Sequence, residues 1–154
     1  MANIHNTTVS APSTSTGKGT VPTAVSQTGT LTSVGARVVG VGTLFTTELK
    51  VGDFLFNTTA AVLPQVRRIK HILDNTRLIL DSGFSVDVAG IAVSRVRGEF
   101  KSVGVVNSGA ADGVLNEGTL VAGASPSYDA KAGFVVEPFS FNATGTTFNI
   151  FPTK

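Results

Sequence analysis

The sequence predicts an all-β protein, a short-stranded β-barrel or β-sandwich with an extended N-terminal arm and a second, C-terminal β-region. Three observations carry this. Runs of β-branched and aromatic residues arrive every 8 to 12 residues. Glycines punctuate them, and no long segment has the 3.6-residue period of a helix. The same pattern divides the 154 residues into an arm (1–27), a small barrel-like domain (28–100) and a C-terminal region (101–154) packing on that domain or on a neighbouring subunit.

Residues 1–27 are rich in Ser, Thr, Ala and Pro and carry one charged side chain, Lys18. With no sustained period they cannot bury a face of their own. Such a segment is either a loose terminus or an arm that orders along the sheet edge of a neighbour, with Ile4, Val9, Val21 and Val25 as its anchors. The stretch has no basic start followed by an apolar run, so no secretory signal is expected. No apolar run approaches the roughly 20 residues that span a bilayer, so no membrane partner is expected. The Asn-x-Thr triplets at Asn6, Asn57 and Asn142 are read as chance in a Thr-rich chain.

In the middle block, residues 29–34, 37–41 and 53–56 read as strands. Gly35, Gly40, Gly42 and Gly52 mark positions needing positive φ or close backbone approach. Residues 46–50 suit one helical turn, with Thr46 as cap and Glu48 near the positive end. Val66, Ile69, Ile72 and Leu73 also fit a helical period, yet the segment is short and runs into the turn Asp74-Asn75. A bulged strand is therefore expected over 66–73, with a hairpin to residues 76–81. In the last block, strands are expected at 103–106, 114–115, 119–121, 134–136 and 148–151.

Composition excludes several chemistries. There is no Cys, hence no disulfide, thiolate nucleophile or Cys-held metal, and two histidines cannot build a His-rich centre. His71 lies in a strand pattern with no Gly-x-Ser-x-Gly elbow, and Gly17-Lys-Gly-Thr20 lacks the rest of a phosphate loop. Asp53 and Asp81 adjoin Gly52 and Ser82, and Asp87 lies two residues from Ser85, positions where Asp serves turns. No enzyme activity, cofactor or metal is expected.

Residues 35–101 hold nine Lys or Arg against six acids, and residues 102–154 hold two against four. Arg67, Arg68, Lys70, Arg95 and Arg97 are candidates for a basic contact surface. The opposite signs suit complementarity between subunits. The ten phenylalanines lie in apolar strand patterns and should be buried, so direct nucleic-acid binding is not expected. With no Trp and one Tyr, Tyr128, a glycan-binding module is poorly equipped.

Val39 to Thr46 (which with Val38 reads V-x-G-x-G-T-x-F-T), Leu49 to Asp53, Val66 to Ile69 and Asp74 to Leu80 follow one another in a recognisable order. This stretch resembles a small β-domain that recurs in tailed-bacteriophage virion proteins, including tail-fibre, appendage and capsid-surface components. The resemblance covers about residues 28–97. It implies a structural part of a virion, made in the host cytoplasm: a capsid decoration or cement protein, or else a tail, neck or fibre-attachment component. Its partners would then be the major capsid protein or tail and neck proteins, and a homo-oligomer, such as a trimer, would be the working form. In this pattern Gly40 and Gly42 permit a tight strand reversal, Phe45 and Leu49 plug a barrel end, and Gly52-Asp53 makes a corner.

Overall fold

A computed structural model describes residues 13–57, 64–132 and 134–154. The expected anchors Ile4 and Val9 lie outside the described residues. The described chain is β throughout except for one four-residue helix. Six strands close a barrel: β3 (Val25–Val34), β4 (Arg37–Val41), β5 (Phe54–Asn57), β6 (Gln65–Asp74), β7 (Arg77–Leu80) and β8 (Ile91–Val96). Their order around the barrel is β3-β4-β7-β6-β5-β8, every pair antiparallel. Alternation does the sorting: in β4 Val38 and Gly40 point inward while Arg37, Val39 and Val41 point out. Leu31, Val38, Leu55, Ile69, Leu78 and Val93 meet inside, each at most 1% exposed.

Both barrel ends are plugged. Helix α1 (Phe45–Glu48) and the residue after it bury Phe45 and Leu49 at one end. At the other, the loop after β7 folds Phe84 and Val88 onto the core, held by Val88 N donating to Ser33 Oγ and Gly35 N to Asp87 Oδ1. Thr46 is not the cap of α1. Leu44 occupies that position without a side-chain bond, and Thr46 donates both its N–H and its hydroxyl to Asn75 Oδ1 in the facing hairpin. The strand over 66–73 is bulged, with register shifts after Ile69 and Ile72. Asp74 turns it into β7, accepting from Thr76 N and from Arg77; these bonds, Arg77's first, hold the exposed carboxyl down to about 2.

Beside this barrel the remaining strands build a sandwich of two four-stranded antiparallel sheets. One runs β1 (Ser13–Ser15), β14 (Phe148–Thr153), β9 (Ser102–Asn107), β12 (Ser127–Asp129). The other runs β11 (Gly118–Leu120), β10 (Gly113–Leu115), β13 (Phe139–Asn142), β2 (Lys18–Val21). Val103, Val105, Phe148 and Ile150 from the first sheet meet Leu115, Phe139, Phe141 and Val21 from the second.

This arrangement corrects the arm. Its described residues do not stand apart: β1 pairs with β14, β2 pairs with β13, and Val21 is buried in the sandwich core. Two adjacent buried residues, Thr20 and Val21, too few to register as a period, suffice once a partner strand of the same chain lies alongside. Val25 opens β3 and is half exposed. The barrel is thus an insertion between the second and ninth strands of the sandwich. A second correction concerns residues 134–136, which form no strand. Val136 N reaches Phe100 O, but Pro138 has no N–H to continue a ladder. Phe134 is left 67% exposed.

Gly29 sits where β3 leaves one register with β8 and enters another, between Ser26 and Thr30. Its φ is +83°, and a Cβ there would lie 2.5 Å from the Val41 carbonyl oxygen. Gly29→Ala is expected to cost about 2 kcal/mol or more. Gly17→Ala, in open space, should stay within about 0.5 kcal/mol. Urea unfolding of both variants checks this; equal small effects would mean that the register change does not need glycine.

Candidate contact groove between barrel and sandwich

The residues singled out from the sequence fall into two groups. Gly40, Gly42, Phe45, Leu49, Gly52 and Asp53 are brought together at the α1 end of the barrel. A Cβ on Gly40 would strike Thr43 and the Phe45 ring, so the plug requires glycine there. Gly42 and Gly52 have φ of +64° and +94°. Asp53 is buried, accepts from Lys50 N at 2.9 Å, and receives a two-pronged contact from Arg97, both N–O distances 2.7 Å. That contact fixes the end of β8 to the start of β5 and pushes the Arg97 guanidinium pKa further up.

Most of the basic set is engaged within the chain. Arg97 is held by Asp53, and Arg95 reaches the Glu48 carbonyl with Nη1. Arg67 is clamped by Glu117 at 2.6 Å. Arg68 stands 3.6 Å from Glu137, both exposed, and Lys70 is exposed. Guanidiniums beside carboxylates and carbonyls of the same chain are consumed before a partner arrives. The charge asymmetry has the same explanation: two bases of the middle block face two acids of the last block across the barrel–sandwich junction.

Sequence reasoning missed the residue at the centre of that junction. Glu117 sits in the two-residue turn between β10 and β11 with φ +67°, after Asn116 at +48°. Asn suits the left-handed region; Glu does so at a cost of roughly 1 kcal/mol. Its carboxylate reaches out of the hairpin to the barrel wall, accepting from Arg67 Nη1 and from Gln65 Nε2 at 3.0 Å. Gln65 is 2% exposed and also exchanges bonds with Ser85, its Oε1 accepting from the Ser85 N–H and its Nε2 donating to Oγ. A glutamate in a position that favours glycine was the available signal, readable only once the turn was known.

Beside this joint the barrel and the sandwich leave an open groove of about 940 Å³. Phe54, Val66 and Arg68 line one wall; Tyr128, Val136 and Phe139 line the other. The Tyr128 ring packs on Phe139 with centroids 5.0 Å apart, and desolvation raises its phenol pKa. The groove lies at a junction of two packed units, the common position of a ligand or contact site. His71, by contrast, is exposed on β6 and outside it. Comparison of the chain with protein-family models, with curated proteins and with solved structures finds no match.

The joint makes a measurable statement. A double-mutant cycle with Glu117→Gln and Arg67→Met should return a coupling of about 1 kcal/mol in urea unfolding, since both side chains are partly shielded. A coupling near zero would reduce the pair to an incidental surface contact.

Proposed function

We propose that this chain is a non-enzymatic structural protein of a tailed-phage virion, a decoration or cement protein that binds and stabilises the capsid shell. The observation that carries the reading is the outer face of the barrel. Thr30, Thr32, Val34, Val39 and Val41 all point to solvent from β3 and β4, with Thr30 opposite Val41 and Thr32 opposite Val39. Val34 is 69% and Val41 72% exposed, and Leu44 continues the patch beyond β4. A contiguous row of β-branched side chains on a rigid sheet, flanked by the exposed Arg37 opposite Val34 and Arg77 opposite Val39, has the character of a protein contact. Its rigidity lowers the ordering cost of association, which suits a component bound in many symmetric copies.

The resemblance of residues 28–97 to phage β-domains supports the same reading, because the residues that carry it perform structural tasks. Gly40 and Gly42 shape the corner, Phe45 and Leu49 fill the barrel end, and Asp53 locks β8 to β5. The partner on the outer face is the major capsid protein. Homo-oligomerisation, as a trimer around a local symmetry axis, accompanies attachment, and the site of action is the particle after synthesis in the host cytoplasm.

Quantitative mass spectrometry of purified particles tests this. The expected copy number is on the order of hundreds per particle. A handful of copies would contradict decoration and favour a tail, neck or fibre-attachment role. Replacing both exposed valines of β4, Val39→Lys with Val41→Lys, should lower occupancy about tenfold without changing the melting temperature. Unchanged occupancy would move the contact to another face.

A further inference from the structure

We propose that the groove between barrel and sandwich is a binding site for a neutral oligosaccharide. The inference does not depend on the virion reading, since it rests on the groove alone; it revises the expectation from composition, because Phe134, expected to be buried, is 67% exposed and joins Tyr128 in the lining.

The groove combines aromatic faces with hydrogen-bonding groups that the chain leaves unused. Phe134 projects from the segment between β12 and β13, and Tyr128 is held in a fixed orientation by Phe139. Among the described residues, the Tyr128 hydroxyl, the Asp129 carboxylate and the Lys131 ammonium have no hydrogen-bond partner, although all three residues line the groove. Asp81 receives only the Ser82 hydroxyl, at 3.4 Å. Donors and acceptors therefore stand together beside aromatic rings.

Sugar hydroxyls both donate and accept, and the C–H face of a pyranose ring is apolar, so an oligosaccharide answers both features at once. Charge decides against other ligands. Among the lining residues Arg67, Arg68 and Lys131 equal in number Asp81, Asp129 and Glu137, and Arg67 is already paired with Glu117 beside the groove. A phosphate or sulfated chain would meet as many carboxylates as cations, and a polyamine as many cations as carboxylates. The volume, about 940 Å³, fits a few sugar rings and not a folded partner.

The test is an NMR titration of the full chain with maltohexaose, cellohexaose and chitohexaose, with a heparin hexasaccharide as the anionic counterpart. The expected result is saturable shifts with at least one neutral sugar, centred on the amides of Ser127, Tyr128, Asp129, Val66 and Arg68. Phe134→Ser should weaken that binding about tenfold. Its side chain is mostly exposed, so the melting temperature should hold. Tyr128→Phe, which keeps the packing on Phe139 and removes only the hydroxyl, should also weaken it. No saturable shift with any neutral sugar would overturn the proposal. So would shifts with heparin alone, shifts outside the groove, or binding indifferent to both substitutions.

Discussion

Closure of the barrel between β3 and β8 is the contact on which the rest of the molecule depends. The barrel interrupts the sandwich, so the chain must leave β2, complete six strands and return to β9 at nearly the same place. Pairing of Val25 with Arg95, and of Ser26 with Ser94, brings the two connections side by side. The seam then changes register at Gly29, and the displaced residue Thr28 is held by α1: its N–H and hydroxyl both donate to the Glu48 carboxylate. Those bonds, the Thr28 hydroxyl's first, keep the Glu48 carboxyl below its ordinary range. From β8, Arg95 completes the clasp by donating to the Glu48 carbonyl. The helix that plugs the barrel thus also fastens its seam.

The sandwich has its own fastening. Asn107, fully buried at the end of β9, donates to the carbonyls of Ala111 and Leu120 and accepts from Thr146 Oγ1 and Gly109 N. One side chain therefore ties together two loops and the end of β11. Each such bond contributes about 1 kcal/mol net, and an unmet one in a dry core costs more than that. Glu117 connects this unit to the barrel, so the groove has a wall on each unit and a fixed joint beside it.

Legibility in the sequence followed the range of the interaction. The turn Asp74-Asn75, the bulged strand through Ile69 and the glycine positions all rest on neighbours a few residues apart, and local pattern revealed them. The phenylalanines followed as well: seven of the ten are buried, including Phe45, Phe141 and Phe148. Strand β12 was invisible because Ser-Tyr-Asp has no strand character of its own and pairs only because β9 offers an edge. Residues 134–136 had strand character and found no edge. The insertion of the barrel could not be read at all, because β1 and β2 pair with strands more than 100 residues away. The basic residues were legible as charges, but their spending on Glu117, Asp53 and Glu48 depends on that same long-range closure.

The described part of the N-terminal segment is thus a structural member of the sandwich, and contact with other proteins passes to the barrel's outer face and the groove. The most direct measurement of this claim uses the absence of native cysteine. Thr14 and Asn149 stand directly opposite each other in β1 and β14, where Thr14 Oγ1 donates to Asn149 Oδ1 at 3.0 Å; opposed residues of an antiparallel pair have Cα atoms about 4.5–5.5 Å apart, within the span that a disulfide bridges. The doubly substituted chain, Thr14→Cys with Asn149→Cys, oxidised in dilute solution, should run as a monomer with one internal disulfide. Disulfide-linked dimers or longer ladders in its place would show that β1 belongs to a neighbouring copy and would contradict the account.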